Sequence, residues 1–202
     1  PGHGAGSACG KSMMKETVDT LGNQKKINYA LNGSFSKSSF IKELTDELPE
    51  PPAYFPSNVK LNQQGYLDID KVLDKSLIPL SIQEFKTASN MPNTIILDVR
   101  NQDDFKDGFV PGSIFIGIKG GFAPWVGSVF KDINTKILLV LENGQETETI
   151  TRLSRVGFDN VIGYLDGSFE IWKASGEKVE TIESISAEEL EKVIKSEINL
   201  ID

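Results

Sequence analysis

KILLVLENGQETETITRLSRVGFDNVIGYLDG, residues 136–167, decides the fold. It opens with β-branched and leucine residues from Ile137 to Leu141, the mark of a strand buried on both faces. The run breaks at Glu142-Asn143-Gly144. Apolar residues then recur at helical spacing, Ile150, Leu153 and Val156, until Gly157 stops the helix. Asn160 to Leu165 reads as a second strand. Strand, tight loop, helix and strand in this order predict parallel strands joined by a helical crossover. In such a sheet, anions and substrates bind where a strand's carboxyl end feeds a helix N-terminus. Here that loop is Glu142, Asn143, Gly144, Gln145 and Glu146, followed by Thr147 and Glu148. It contains no Cys, His, Ser, Lys or Arg.

The same alternation extends on both sides. Ile69–Leu77 reads as a short helix, Ser81–Ser89 as a helix, and Thr94–Val99 as a buried strand. A short helix over Gln102–Lys106 and a strand over Ser113–Ile118 follow. Gly121–Phe130, GFAPWVGSVF, is an apolar loop-helix with Trp125, readable as core or as a contact surface. Ser168–Ser175 is a helix with Trp172 facing inward, and Val179–Ile182 closes the region in extended form. Strands alternating with helices predict an α/β fold with a parallel sheet covered on both faces. Upstream, Met14–Leu31 and Ser38–Leu48 read as helices, the second capped by Ser36. Between them and the sheet region, Pro49, Pro51, Pro52 and Pro56 predict an extended linker over 49–66, pinned to a surface by Tyr54 and Phe55.

A weak internal repeat is visible. LSIQEF (80–85) precedes TIILDVR (94–100), and ISAEEL (185–190) precedes INLID (198–202). Each pair reads as a Ser-capped acidic helix followed by a strand ending in Asp. The expectation is that a second copy of the domain starts in 183–202.

Composition narrows the function classes. A net charge of −8 disfavours nucleic acid and anionic membrane as partners. No apolar run approaches a membrane span. The single cysteine, Cys9, excludes an internal disulfide, so a reducing cytoplasm is the simplest location. The single histidine, His3, means this chain alone cannot build a multi-histidine metal site.

ILDVRNQDDFKDGFVPGSIFIGI (96–118) resembles the first half of a rhodanese domain: a strand ending in Asp-x-Arg, an acidic-aromatic helix turn, then Gly-x-x-Pro-Gly-small and another strand. RVGFDNVIGYLDGSFEIWKASG (155–176) is similar to the second half, with Gly167-Ser168 in place of the usual Gly-Gly. The resemblance implies a five-stranded parallel sheet over 67–182. It also implies a catalytic cysteine at the start of the loop after the fourth strand, with loop amides and a basic residue holding sulfur. Here that place falls at Leu141 or Glu142. A thiolate needs positive surroundings, whereas Glu142, Glu146 and Glu148 are acidic. The helix N-terminus still offers amides, and Glu146 is positioned to take them. The expectation is an inactive rhodanese-like domain kept for packing or partner contact.

Pro1-Gly2-His3-Gly4 resembles the last metal-site motif of metallo-β-lactamase-fold hydrolases of the glyoxalase II type. That resemblance implies that 1–48 closes such a domain and that His3 reaches a metal only with upstream ligands. Fusions of this order are similar to persulfide dioxygenases, or to zinc-dependent thioester hydrolases. They imply iron or zinc in the parent domain, a low-molecular-weight persulfide or thioester substrate, and the two neighbouring domains as intramolecular partners; a homodimer is open. Cys9 is a candidate sulfur acceptor beside that metal, or a small buried apolar residue. Two other classes remain: an active sulfurtransferase using Cys9, and a small-anion-binding module using the loop amides.

Overall fold

The computed structural model describes residues 17–46 and 51–194. The chain divides into two compact units, Pro1–Pro51 and Pro52–Asp202. In the first, α1 spans Leu21–Ile27 and α2 spans Lys37–Thr45. Each begins at a hydroxyl cap: Thr20 accepts from the Asn23 amide and Ser36 from the Ser39 amide. The helix expected over Met14–Leu31 is therefore shorter on its described side. Asn28 ends it by leaving helical geometry at ψ 116° and accepting the Ala30 amide on its side chain. Phe35 packs between Tyr29 and Phe40, with ring centroids 6.2 and 6.4 Å away.

The second unit opens with a departure from the sequence reading. Phe55–Gln64, expected as extended linker, is helix α3. Pro56 stands in its first turn, where a missing N–H breaks no helical bond and the fixed φ favours the start. The prolines therefore begin a helix here. The segment is pinned by side chains, as expected of Tyr54. A Cβ on Gly127 would lie 2.1 Å from the Tyr54 ring, so the ring rests directly on that backbone.

Helices and strands then alternate: α4 (Ile69–Ser76), β1 (Pro79–Leu80), α5 (Ile82–Ser89), β2 (Thr94–Asp98), α6 (Gln102–Asp107), β3 (Ser113–Phe115), α7 (Phe122–Val129), β4 (Lys136–Val140), α8 (Glu146–Ser154), β5 (Val161–Leu165) and α9 (Ser168–Ala174). The strands form one five-stranded parallel sheet in the order β1-β5-β4-β2-β3. The fold is α/β, with helices on both faces of the sheet. β3 is shorter than the strand expected to reach Ile118, yet the chain stays on β2: the Ile116 amide donates to the Asp98 carbonyl and the Ile118 amide to that of Val99. The expected closing piece is present, with Phe109 and Glu180 forming an antiparallel bridge. Beyond it, α10 spans Ala187–Val193. Ser81 and Ser186 each head a complete capping box, with Glu84 and Glu189 as the returning carboxylates.

β4 fills the centre of the sheet. Ile137, Leu139 and Leu141 face α4, α7 and α8, joining Val72, Phe122, Val126, Ile150 and Leu153. Leu138 and Val140 face the other side, against Phe85 of α5 and Phe169 and Trp172 of α9. Ser168 opens α9 at φ +62°, a strained position for a side chain, where the resemblance has a second glycine. In β5, beside the edge strand β1, Gly163 has φ +147°, and an added Cβ would lie 2.7 Å from Leu80 Cδ1 and 2.9 Å from the Ile78 carbonyl. Gly163→Ala should therefore force β1 off β5 at a cost of about 1–3 kcal/mol, measured by urea unfolding. A loss below about 0.5 kcal/mol, the range of an ordinary surface change, would show that the β1–β5 contact is soft.

Candidate functional site

The loop after β4 is a tight turn. The Gln145 amide donates to the Glu142 carbonyl at 3.1 Å, with Gly144 at φ +90°, a value that favours glycine. Leu141, the first candidate for the nucleophile position, is 1% exposed and part of the core. Glu142, the second, is exposed, as are Asn143 and Gly144. The Gly144 amide donates to Oε1 of Glu146 at 3.0 Å, and Nε2 of Gln145 to Oε2 of Glu142 at 3.3 Å. The first-turn carboxylate of α8 thus takes a loop amide, the role anticipated for Glu146. A carboxylate there also complements the helix dipole.

Both arginines near the loop are engaged. Arg100 is buried and reaches back to Asp98 at the end of β2. Its Nε lies 3.0 Å from both carboxylate oxygens and its Nη2 lies 2.7 Å from Oδ2. Nη2 also donates to the Gly108 carbonyl at 2.8 Å, and the guanidinium sits 4.2 Å from the Phe169 ring centroid. Burial pushes the Asp98 carboxyl above the usual carboxylate range, while the hydrogen bonds and charge of Arg100 pull against it. Arg152 of α8 donates to the carbonyls of Ile118 and Gly120 and pairs with Glu148 at 3.4 Å. Tyr164 of β5 registers the local field: its hydroxyl is pushed up by burial, then by the charges of Glu146 and Asp166.

Two clefts flank the loop. One, of about 550 Å³, is lined by Phe115, Ile118, Lys119, Trp125, Glu142 and Gln145 among others. The other, of about 340 Å³, includes Arg100, Asp104, Asp107, Glu142, Glu170 and Lys173. Trp125 is 64% exposed, whereas Phe122, Val126 and Phe130 are buried. The GFAPWVGSVF segment is therefore core on one face, as one of its two readings expected, and leaves Trp125 exposed on the other.

His3, Cys9 and the 198–202 strand of the repeat lie outside the described residues. Among the described residues, no group of three His, Cys, Asp or Glu side chains converges as a metal site. None of the described helices is long and apolar enough to cross a membrane. Sequence reasoning quoted Asp98 and Arg100 as a motif without a role; their i, i+2 spacing at a strand end was the signal. Arg152 gave none, because its partners are carbonyls of a distant loop.

Residues 81–175 match the family model for the rhodanese-like domain. Among solved structures, the chain is similar to a metallo-β-lactamase from Staphylococcus aureus subsp. aureus COL, with 26% identity and a TM-score of 0.62 over 82% of this chain and 44% of that one. The chain thus spans less than half of that structure. It is also similar to the Alr3790 protein from Anabaena sp., with 23% identity and a TM-score of 0.46 over 52% of this chain and 94% of that one. A third similarity is to the single-domain sulfurtransferase RDL2 of Saccharomyces cerevisiae, with 20% identity and a TM-score of 0.40 over 50% and 93%. No curated protein matches.

The Asp98–Arg100 pair supplies a direct test of what holds the site's frame. Arg100→Met leaves a buried carboxylate and should cost about 3–5 kcal/mol in urea unfolding. The double variant Asp98→Leu/Arg100→Met should recover most of that loss, since neither buried charge remains. An equal loss in both would assign the effect to packing.

Proposed function

We propose that residues 81–175 are a rhodanese-like domain that carries no sulfur itself and acts as a scaffold within a larger sulfur-metabolism metalloenzyme of the metallo-β-lactamase type. The observation that carries this reading is the loop after β4. Its first position is a buried leucine, its second an exposed glutamate, and its Gly144 amide is held by Glu146. A sulfur anion arriving there meets Glu142 and Glu146 on the loop, with Arg100 and Arg152 already engaged and only Lys119 and Lys173 left as cations among the residues of the flanking clefts. The similarity to the staphylococcal structure over most of this chain supports the larger context.

In this reading the parent acts in the cytoplasm on a low-molecular-weight persulfide or thioester, with iron or zinc supplying Lewis-acid or redox chemistry in the domain that 1–48 closes. His3 is its one ligand from this chain. Residues from 183 onward begin a second copy of the domain, consistent with the shared capping boxes of α5 and α10.

The 202-residue chain, incubated with thiosulfate and cyanide, is expected to form no thiocyanate above the buffer rate. Its intact mass should be unchanged after thiosulfate alone. Thiocyanate formation that disappears in Cys9→Ala would replace the scaffold reading with Cys9 as sulfur acceptor.

A further inference from the structure

Asn32-Gly33 and Asn143-Gly144 are Asn-Gly pairs, and all four residues are exposed. In such a pair the glycine nitrogen can close a five-membered ring on the asparagine Cγ. Glycine presents that nitrogen with no side chain beside it. Closure needs a carboxamide that is free to turn and a base for the glycine N–H.

The surroundings of the two pairs differ. Asn32 is tied down: its Oδ1 accepts from the Ser34 amide at 3.0 Å and from the Ser34 hydroxyl at 2.6 Å. Asn143, in the turn after β4, makes no side-chain hydrogen bond among the described residues. Gly144 follows at φ +90°, and a Cβ built there would meet nothing within 4 Å. Its N–H donates to Oε1 of Glu146, 3.0 Å away. That distance is within the reach of a general base for the proton it takes. Among the described residues, no carboxylate accepts from the Gly33 amide.

We propose that Asn143 is a self-modification site, whose deamidation is promoted by Glu146. The Gly144 nitrogen bonds to Asn143 Cγ as its proton passes to the Glu146 carboxylate. The Cγ–Nδ2 bond then breaks, the nitrogen leaves as ammonia with that proton, and a succinimide remains. Water opens the ring at either carbonyl, giving an aspartate or an isoaspartate. The net exchange is amide and water for acid and ammonia, with no oxidation or reduction. Either product adds a carboxylate beside Glu142, and the isoaspartate also lengthens the main chain between β4 and α8 by a methylene. The acidity of the loop therefore grows with the age of the protein.

The 202-residue chain, held in warm neutral buffer, is sampled over time by peptide mapping with mass spectrometry. This reads the amide-to-acid mass gain at each asparagine and separates the two products. Asn143 should convert faster than Asn32, with isoaspartate among its products. Glu146→Gln keeps an acceptor oxygen for the loop amide but takes no proton. It should slow conversion at Asn143 roughly tenfold or more, while Asn32 in the same sample keeps its rate and reports that the fold is unchanged. Glu146→Ala, which removes base and acceptor together, should be slowed as well. Asn143 converting no faster than Asn32 would overturn the proposal. So would a Glu146→Gln rate equal to or above that of the unaltered chain, even with Glu146→Ala slowed, since the effect would then be tethering alone.

Discussion

The buried pair of Asp98 and Arg100 sets the frame of the domain's carboxyl-end surface. Asp98 ends β2, and Arg100 folds back on it while holding the Gly108 carbonyl and lying on the Phe169 ring. One side chain therefore joins the central sheet, the turn after α6 and the first turn of α9. The backbone at Gly108 comes so near that a Cβ there would lie 3.0 Å from the Phe169 ring. Such a pair gains little over a well-packed apolar substitute, but losing one partner leaves a charge stranded. It fixes position, and in doing so withdraws the nearest buried cation from any ligand.

The electrostatics of the β4 loop follow from that withdrawal. Arg152 is committed to the carbonyls after β3, tying α8 to the start of α7. Glu142 and Glu146 remain on the loop itself, facing Lys119 and Lys173 of the flanking clefts, and Tyr164 feels the charge of Glu146. Similar backbone frames serve anion chemistry only when amides and cations are free. Here the frame is intact, with the Gly144 amide and both nearby arginines engaged by the protein itself.

Most of the central sheet could be read in the chain because its signals are local. Continuous apolar runs marked β2 and β4, helical spacing marked α8, and Ser81 with Glu84 marked the start of α5. That Glu146 would hold a nearby amide was also legible, though not that the amide is Gly144's, one residue before the helix cap. The misses were short or non-local. β1 is two residues with a proline, tolerated because the strand lies at the edge. Helix α3 was hidden because prolines that stop a helix from within can start one at its first turn. The contacts of Arg152 with the carbonyls after β3 join distant positions, which no periodicity reports.

The hydrogen bond from Gly144 to Glu146 has a consequence for how such a domain changes over time. A cysteine arising at Leu141 would replace a core side chain, and one at Glu142 would stand on an exposed turn. In either place, the Gly144 amide would still be held by a neighbouring carboxylate. Clearing Glu146 first would gain no nucleophile. A loop carrying both a thiol and a free Gly144 amide thus requires changes at two positions, one for the sulfur and one at Glu146.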